Sequence, residues 1–490
     1  AMKNFQNSIF LICLIIFLSS TIVQCSPFPD WLTSSPCIHN EKQQNTFYTE
    51  QENSDRSLYF SQIIDHNVPG NRSGTYQQRY FQNTTFFNQN DPNAPVFIFL
   101  GGEADLSFFD FQTVQILNWC GQFKAKYLAL EHRYYGKSLP HSVFSTENLS
   151  GTLNSQQALA DAAFFIQEMK ANDPHPNRPW VVWGCSYSAA LSAWFREKYP
   201  NLVVGSVAPS GPVEAKLNFT GYFGLFEKVA PAQCVSSVQK ASNQIYQMAQ
   251  TEQGRAQLSE TFHCCPALSQ HNLVYFLSNV QGAIGSADQF DNPPAVAGPW
   301  PLNETCDQLL ANTNQGNNVN AVIENWAEIA RGGQNSCMLI DEALTRKTIG
   351  LPIASSSRAW FWQKCVEFGF FKPTYQGTSI FFPDVNLPWL LSYCQDAFGI
   401  ANMSPDVTWT NTYYGGKNLI SSQTLFTNGL IDPWHLVSIN QDLSSPSSVK
   451  AVTYNAGHCA VLVEATPNDP PSLIAARKAI YAFLSDLLKR

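Results

Sequence analysis

Four short runs of this chain are apolar almost throughout and bounded by turn residues: Val96–Leu100 (VFIFL), Tyr127–Leu130 (YLAL), Trp180–Trp183 (WVVW) and Val203–Ala208 (VVGSVA). A strand with one wet face alternates apolar and polar residues, so runs apolar on both sides need cover on both faces. Helical periodicity fills the gaps between them. In Ser155–Met169 the residues Ala158, Ala162, Phe165 and Met169 share one face, with Asn154 or Ser155 placed to cap it, and Tyr187–Tyr199 reads as a second helix. Short buried strands alternating with helices predict an α/β fold, a mostly parallel sheet with helices on both faces.

The alternation stops after Pro212. Residues 213–400 hold mostly helix-like segments, such as Ser237–Ala249 and Asn320–Ala330, with most of the cysteines and a Pro/Gly-rich stretch at Asp291–Pro301. Strand-like runs resume at Gln423–Phe426 and Ala451–Tyr454, and an amphipathic helix covers Pro471–Leu488. The expected organisation is a leader at 1–25, a sheet domain in two parts, 26–212 and 401–490, and a largely helical insertion at 213–400. Residues 26–75 read as polar and irregular.

The leader reading rests on Lys3, the apolar run Ile9–Leu18 and the passable cleavage site Val23-Gln24-Cys25 before Ser26. Ile9–Val23 falls short of the ~20 apolar residues a membrane span needs, and no later stretch could cross a bilayer. Six Asn-x-Ser/Thr sequons, at Asn71, Asn83, Asn148, Asn218, Asn303 and Asn402, agree with export and are candidate glycosylation sites. The expected location is the secretory pathway, lysosomal or extracellular.

Of the thirteen cysteines, eleven would remain after cleavage at Cys25. In an oxidising lumen Cys37, Cys120, Cys234, Cys264, Cys265, Cys306, Cys337, Cys365, Cys394 and Cys459 can form up to five bridges, with Cys185 the expected unpaired one, because its neighbours suggest a cramped turn. Adjacent Cys264 and Cys265 suit a single zinc poorly, so no metal and no cofactor is expected. Only 13% of residues are charged, the net charge is −8 and no Lys/Arg cluster occurs, which excludes a nucleic-acid binder.

Gly-x-Ser occurs three times, at Gly136-Lys-Ser138, Gly184-Cys-Ser186 and Gly377-Thr-Ser379. Gly184-Cys185-Ser186 alone follows a strand and opens a helix, the context that lifts a serine oxygen above the sheet edge at a helix N-terminus. A serine hydroxyl needs a base, and the base an orienting acid. In this fold class they follow in the order Ser, Asp, His. Asp432 follows the run QTLF, and His458 follows AVTY; His435 is too close to Asp432 along the chain to bridge to the serine. The candidate catalytic residues are Ser186, Asp432 and His458. The backbone N–H of Tyr187 and one from the Gly101-Gly102-Glu103 loop, at Gly102, are the expected oxyanion donors. Glu103 is a candidate anchor for a substrate amine.

The motifs Glu131-His-Arg-Tyr-Tyr-Gly136 with Ser138-Leu-Pro140, the GCSY elbow, Asn428-Gly429-x-x-Asp432-Pro433-Trp434, Gly457-His458-Cys459, Ile64-Asp65-His66 with Tyr76–Tyr80, Gly101–Glu103 and Trp360–Glu367 resemble the prolyl-cleaving serine carboxypeptidase family. The likeness runs from about residue 60 to 460. It implies an α/β-hydrolase domain capped by a helical insertion, with the catalytic roles on Ser186, Asp432 and His458 and cleavage after proline. Trp360, Trp362 and Trp434 are candidate walls for a pyrrolidine ring. Cys185 and Ser188 stand where the family's elbow carries glycine. The expected function is a serine exopeptidase acting on peptide substrates, with a homodimer allowed. The alternatives are an esterase or lipase with the same triad, or a catalytically impaired secreted binding relative.

Overall fold

The computed structural model describes residues 57–69, 73–106, 114–293, 301–332, 337–374, 379–445 and 447–489. The leader at 1–25, Cys37 and the sequon at Asn71 lie outside the described residues. Eight strands form one sheet: β1 (Leu58–Ile63), β2 (Thr75–Asn83), β3 (Val96–Leu100), β4 (Lys126–Leu130), β5 (Trp180–Trp183), β6 (Gly205–Pro209), β7 (Ser422–Gly429) and β8 (Ser448–Tyr454). Their spatial order is β1-β2-β4-β3-β5-β6-β7-β8. β2 pairs antiparallel with β1 and β4, and all other pairs are parallel. This is an α/β-hydrolase sheet.

The period of two explains its double cover. Val96, Ile98 and Leu100 point to one face, where they join Leu159, Phe165 and Ile166 of helix α2 (Ser155–Ala171) and Leu191 and Phe195 of α3 (Tyr187–Lys198). Phe97 and Phe99 point to the other, against Ile116 and Trp119 of α1 (Val114–Phe123) and Leu473, Ile480 and Leu484 of α4 (Pro471–Leu488). Each such large side chain, fully buried, contributes about 1.5–3 kcal/mol. Asn154 caps α2, its side chain accepting from the Gln157 N–H at 2.9 Å.

Two findings depart from the sequence expectations. Residues 58–63 and 75–83, the first of which were expected to be irregular, form the antiparallel pair β1–β2. Its residues alternate between buried and exposed but the buried ones include Gln62, Gln78 and Arg79, so no apolar period marks it. These polar side chains pair with one another and with the core: Gln62 donates to Gln78 at 2.9 Å, and Arg79 Nη2 meets Glu131 at 2.5 Å. Nearby, Arg133 grips Asp161 with two nitrogens, at 2.5 and 2.7 Å, and Tyr76 and His66 also reach that carboxylate. The Glu131–Gly136 motif therefore ties the β1–β2 pair to α2.

The second departure concerns the cysteines. Cys185 is bonded to Cys459, while Cys120 and Cys264 are free among the described residues. A pairing across 274 residues is invisible to spacing, because only the folded sheet brings the two loops together. Cys120 faces the core under α1, where burial pushes its thiol up to about 12.

The stretch between β6 and β7 is mostly helical, with helices at Ala232–Ala249, Glu252–Thr261, Leu273–Gly285, Pro301–Leu310 and Val319–Arg331 among others. Cys234–Cys306, Cys265–Cys337 and Cys365–Cys394 staple it. Trp326 is buried within it and donates to the Val280 carbonyl at 2.9 Å. A π-helical turn, Lys364–Phe368, then feeds a short strand, Gly369–Phe371, that pairs with Lys216–Asn218. Among the described residues no helix is long and apolar enough to cross a membrane.

Candidate active site

β5 ends at Trp183 and α3 begins at Tyr187, leaving three residues to turn the chain. That turn forces Ser186 to φ +61°, ψ −130°, a conformation that a residue with a side chain rarely adopts. Gly184 is required, because a Cβ there would stand 2.0 Å from the Ser188 carbonyl oxygen. Ser188 fastens the turn: its hydroxyl accepts from the Cys185 N–H at 2.8 Å and donates to the Cys185 carbonyl at 2.9 Å. A hydroxyl thus fits where the resembled family carries glycine.

Asp432 follows β7 and is fully buried. Its Oδ1 accepts from the Trp434 N–H at 3.0 Å, capping the short helix Pro433–Val437, and its Oδ2 lies 2.7 Å from Nδ1 of His458. With the carboxylate accepting, Nδ1 carries the proton and Nε2 presents a lone pair. His435 makes a different contact, placing its Nδ1 2.7 Å from the Asp432 backbone carbonyl. The His458 loop is held from several sides. The Gly457 and His458 N–H groups donate to Asp291 and Gln289 carbonyls at 2.9 and 2.7 Å, and the Cys459 N–H donates to Ser210 Oγ at 3.0 Å. A sulfur of each of Cys185 and Cys459 and a ring nitrogen of His458 come within 4.8 Å of one another, which brings the elbow and the histidine loop to one place. Because the two sulfurs are joined to each other, they offer no thiolate to a metal.

Tyr187, next to Ser186, is locked by a chain of hydrogen bonds of consistent polarity. His132 Nδ1 donates to the Arg133 carbonyl at 2.7 Å, so its Nε2 accepts from the Tyr187 hydroxyl at 3.1 Å. Gln363 Nε2 donates to the Tyr187 oxygen at 2.8 Å, and the Tyr135 hydroxyl donates to Gln363 Oε1 at 2.6 Å. Burial lowers the His132 pKa to about 4, which keeps the ring neutral in mildly acidic surroundings. Sequence reasoning missed this chain, whose only signal is that His132, Tyr135 and Gln363 all fall within the quoted motifs.

Gly102 and Glu103 lie in the loop after β3, on the same edge. Glu103 Oε2 is shut off from solvent and finds no hydrogen-bond partner among the described residues. Burial raises its pKa, opposed by the charge of His458. Trp434 packs against Phe219, Tyr222 and Phe370, with ring centroids 5.5, 5.7 and 5.1 Å away. Trp360 lies 5.2 Å from Tyr187. Trp362 joins neither group: it sits against Phe398, and its indole N–H donates to the Leu153 carbonyl at 3.1 Å.

The chain matches the description "Serine carboxypeptidase S28" over residues 62–480. It is 33% identical to the Caenorhabditis elegans protein K12H4.7 over 461 residues, covering 88% of each chain. It is 30% identical to human Lysosomal Pro-X carboxypeptidase over 446 residues, 86% of each chain. To human Thymus-specific serine protease it is 29% identical over 456 residues, 88% of this chain and 86% of that one. The chain belongs to the serine carboxypeptidase S28 family and is a serine-type peptidase.

Proposed function

We propose that the protein cleaves peptides near a chain terminus, after proline or a small residue, through an acyl-enzyme formed on Ser186. The observation that carries this reading is the 2.7 Å contact between Asp432 Oδ2 and His458 Nδ1, made in a loop bonded to the residue before a positive-φ serine. Ser186 Oγ attacks the scissile carbonyl, and His458 Nε2 takes its proton and returns it to the leaving amine. Asp432 holds the imidazole in the needed tautomer and stabilises its cation. The Tyr187 N–H, at the first position of α3, and the Gly102 N–H receive the developing oxyanion.

The preference for proline is supported by the aromatic group beside Asp432. Trp434, Phe219, Tyr222 and Phe370 offer flat apolar walls of the kind a pyrrolidine ring fills, and the name of the human Pro-X relative points the same way. The helical stretch between β6 and β7 caps the rim, and the cleft lies between them. Glu103 binds the substrate's free terminus. Four disulfides among the described residues, and exposed sequons at Asn218, Asn303 and Asn402 beside half-buried ones at Asn83 and Asn148, support passage through the secretory pathway to a lysosomal or extracellular location. A homodimer is part of the same proposal, and sedimentation at micromolar concentration tests it.

The decisive experiment is digestion of a defined peptide library by wild type and Ser186→Ala, with cut positions read by mass spectrometry. Cuts clustered one or two residues from a terminus, after proline, and abolished in the variant are expected. Equal turnover of simple p-nitrophenyl esters and no peptide cleavage would mean an esterase instead.

A further inference from the structure

Cys185 directly precedes Ser186 and Cys459 directly follows His458, so one covalent bond joins the chain neighbours of the candidate nucleophile and base. Both cysteines are buried, at 3% and 4% exposure, and their Cα atoms stand 6.0 Å apart. Both loops hold conformations that need support: Ser186 at φ +61° and Cys459 at φ +53°. The hydrogen bonds that steady the histidine loop lead elsewhere. Gly457, His458 and Asn292 tie it to residues 289–292 of the helical stretch, and Cys459 N–H ties it to Ser210 after β6. Each can lengthen by a few tenths of an ångström at little cost, whereas a covalent bridge cannot.

We propose that the Cys185–Cys459 disulfide is a positioning element of the active site, setting the separation of Ser186 and His458. The proposal rests on the reading of those two residues as nucleophile and base. Proton transfer between them demands hydrogen-bond reach, and a displacement of about 1 Å costs on the order of 10²-fold in rate. The aromatic group at Trp434 and the helical stretch are not joined to the sheet by this bond. Severing it therefore lowers kcat and leaves KM in place. The bond also gives a role to Cys185, which occupies a glycine position of the resembled elbow.

The test uses the full chain with Cys185→Ala and Cys459→Ala made together, so that neither partner is left as a new free thiol, and a second pair, Cys185→Gly with Cys459→Ala. Three quantities are read: kcat and KM on an Ala-Pro amide, the rate of Ser186 phosphonylation by a fluorophosphonate, and Tm. The expected result is a fall of roughly 10- to 100-fold in both kcat and phosphonylation rate, with KM within about twofold. Folded variants that keep kcat and phosphonylation within about twofold, losing only Tm, overturn the proposal, because the bond would then be a staple with no part in positioning. Should neither pair fold, wild type is partially reduced and alkylated, and the species with Cys185 and Cys459 modified and the other three bridges intact is assayed against the same two outcomes. Oxidised wild type that resists phosphonylation at Ser186 brings down the reading of the nucleophile itself, a result seen without any variant and so distinct from failure of the positioning role.

Discussion

Asp432 commits one carboxylate oxygen to the Trp434 N–H and the other to His458 Nδ1, so it cannot rotate without losing a partner. Asp432→Asn keeps the shape and the cap but puts an amide opposite Nδ1, favouring the tautomer whose Nε2 already holds a proton. A fall of roughly 10⁴-fold in kcat with Tm nearly unchanged is expected, and steady-state kinetics beside a thermal melt checks it. Gln363 is a different case. Gln363→Leu leaves the buried Tyr135 hydroxyl without its acceptor, at about 1–3 kcal/mol, and takes one of two partners from the Tyr187 hydroxyl, which keeps its bond to His132. It should lower Tm by several degrees and lower kcat through a loosened Tyr187; an unchanged kcat would limit the chain of hydrogen bonds to stability. The places of Ser186, Asp432 and His458 in the fold were legible from sequence because each follows a strand apolar enough to recognise. Gln363 could not, since its partners lie 176 and 228 residues away.

At the scale of elements, the π-helical turn Lys364–Phe368 concentrates titratable groups in the core. Burial pushes the Glu367 carboxyl up to about 7, although Ser155 donates to it through its N–H at 3.0 Å and its hydroxyl at 2.6 Å. Burial brings the Lys364 ammonium down to about 7. The sign for Glu367 follows from linkage. Its folded pKa exceeds its unfolded value, so the folded state binds the extra proton, and the stability it contributes is full below about 4.5 and lost as pH rises to about 7. Glu367→Gln removes this dependence while keeping an acceptor for Ser155. The stability difference between variant and wild type should shift in the variant's favour by on the order of 2 kcal/mol from pH 4.5 to 7.5. Denaturant melts at both pH values measure it, and a constant difference would place the Glu367 pKa near that of a free carboxyl. Nothing in the sequence marks this turn as π-helical, and the β1–β2 pair was equally hidden, because both bury polar side chains against partners distant in the chain. Strands β3, β4 and β5 were legible for the opposite reason: nearly all of their buried side chains are apolar.

Over the whole molecule, the three candidate catalytic side chains, Gly102 and Glu103 all sit in loops at the carboxyl ends of parallel strands. Gly102 and Glu103 follow β3, Ser186 follows β5, Asp432 follows β7 and His458 follows β8. Such edges gather helix N-termini and free loop backbone, which is where α/β sites form. The separation of β6 from β7 in sequence, although they are neighbours in space, was legible from the gap between apolar runs. What that gap contributes to the site was not. Residues 289–292 grip the histidine loop through two backbone carbonyls and through Asn292 Nδ2, which donates to the His458 carbonyl at 3.1 Å. The helical stretch therefore holds the candidate base as well as standing between two strands. Asn292→Ala isolates the one side-chain link. The other Asn292 atom, Oδ1, is already buried without a partner, so its removal offsets part of the lost bond and the net stability cost should stay under about 1 kcal/mol. His458 keeps its backbone ties but gains freedom at its carbonyl, and kcat should fall a few-fold to about tenfold with KM steady. If kcat holds while KM rises, the stretch acts on substrate binding instead, and the grip on the histidine loop contributes nothing to the rate.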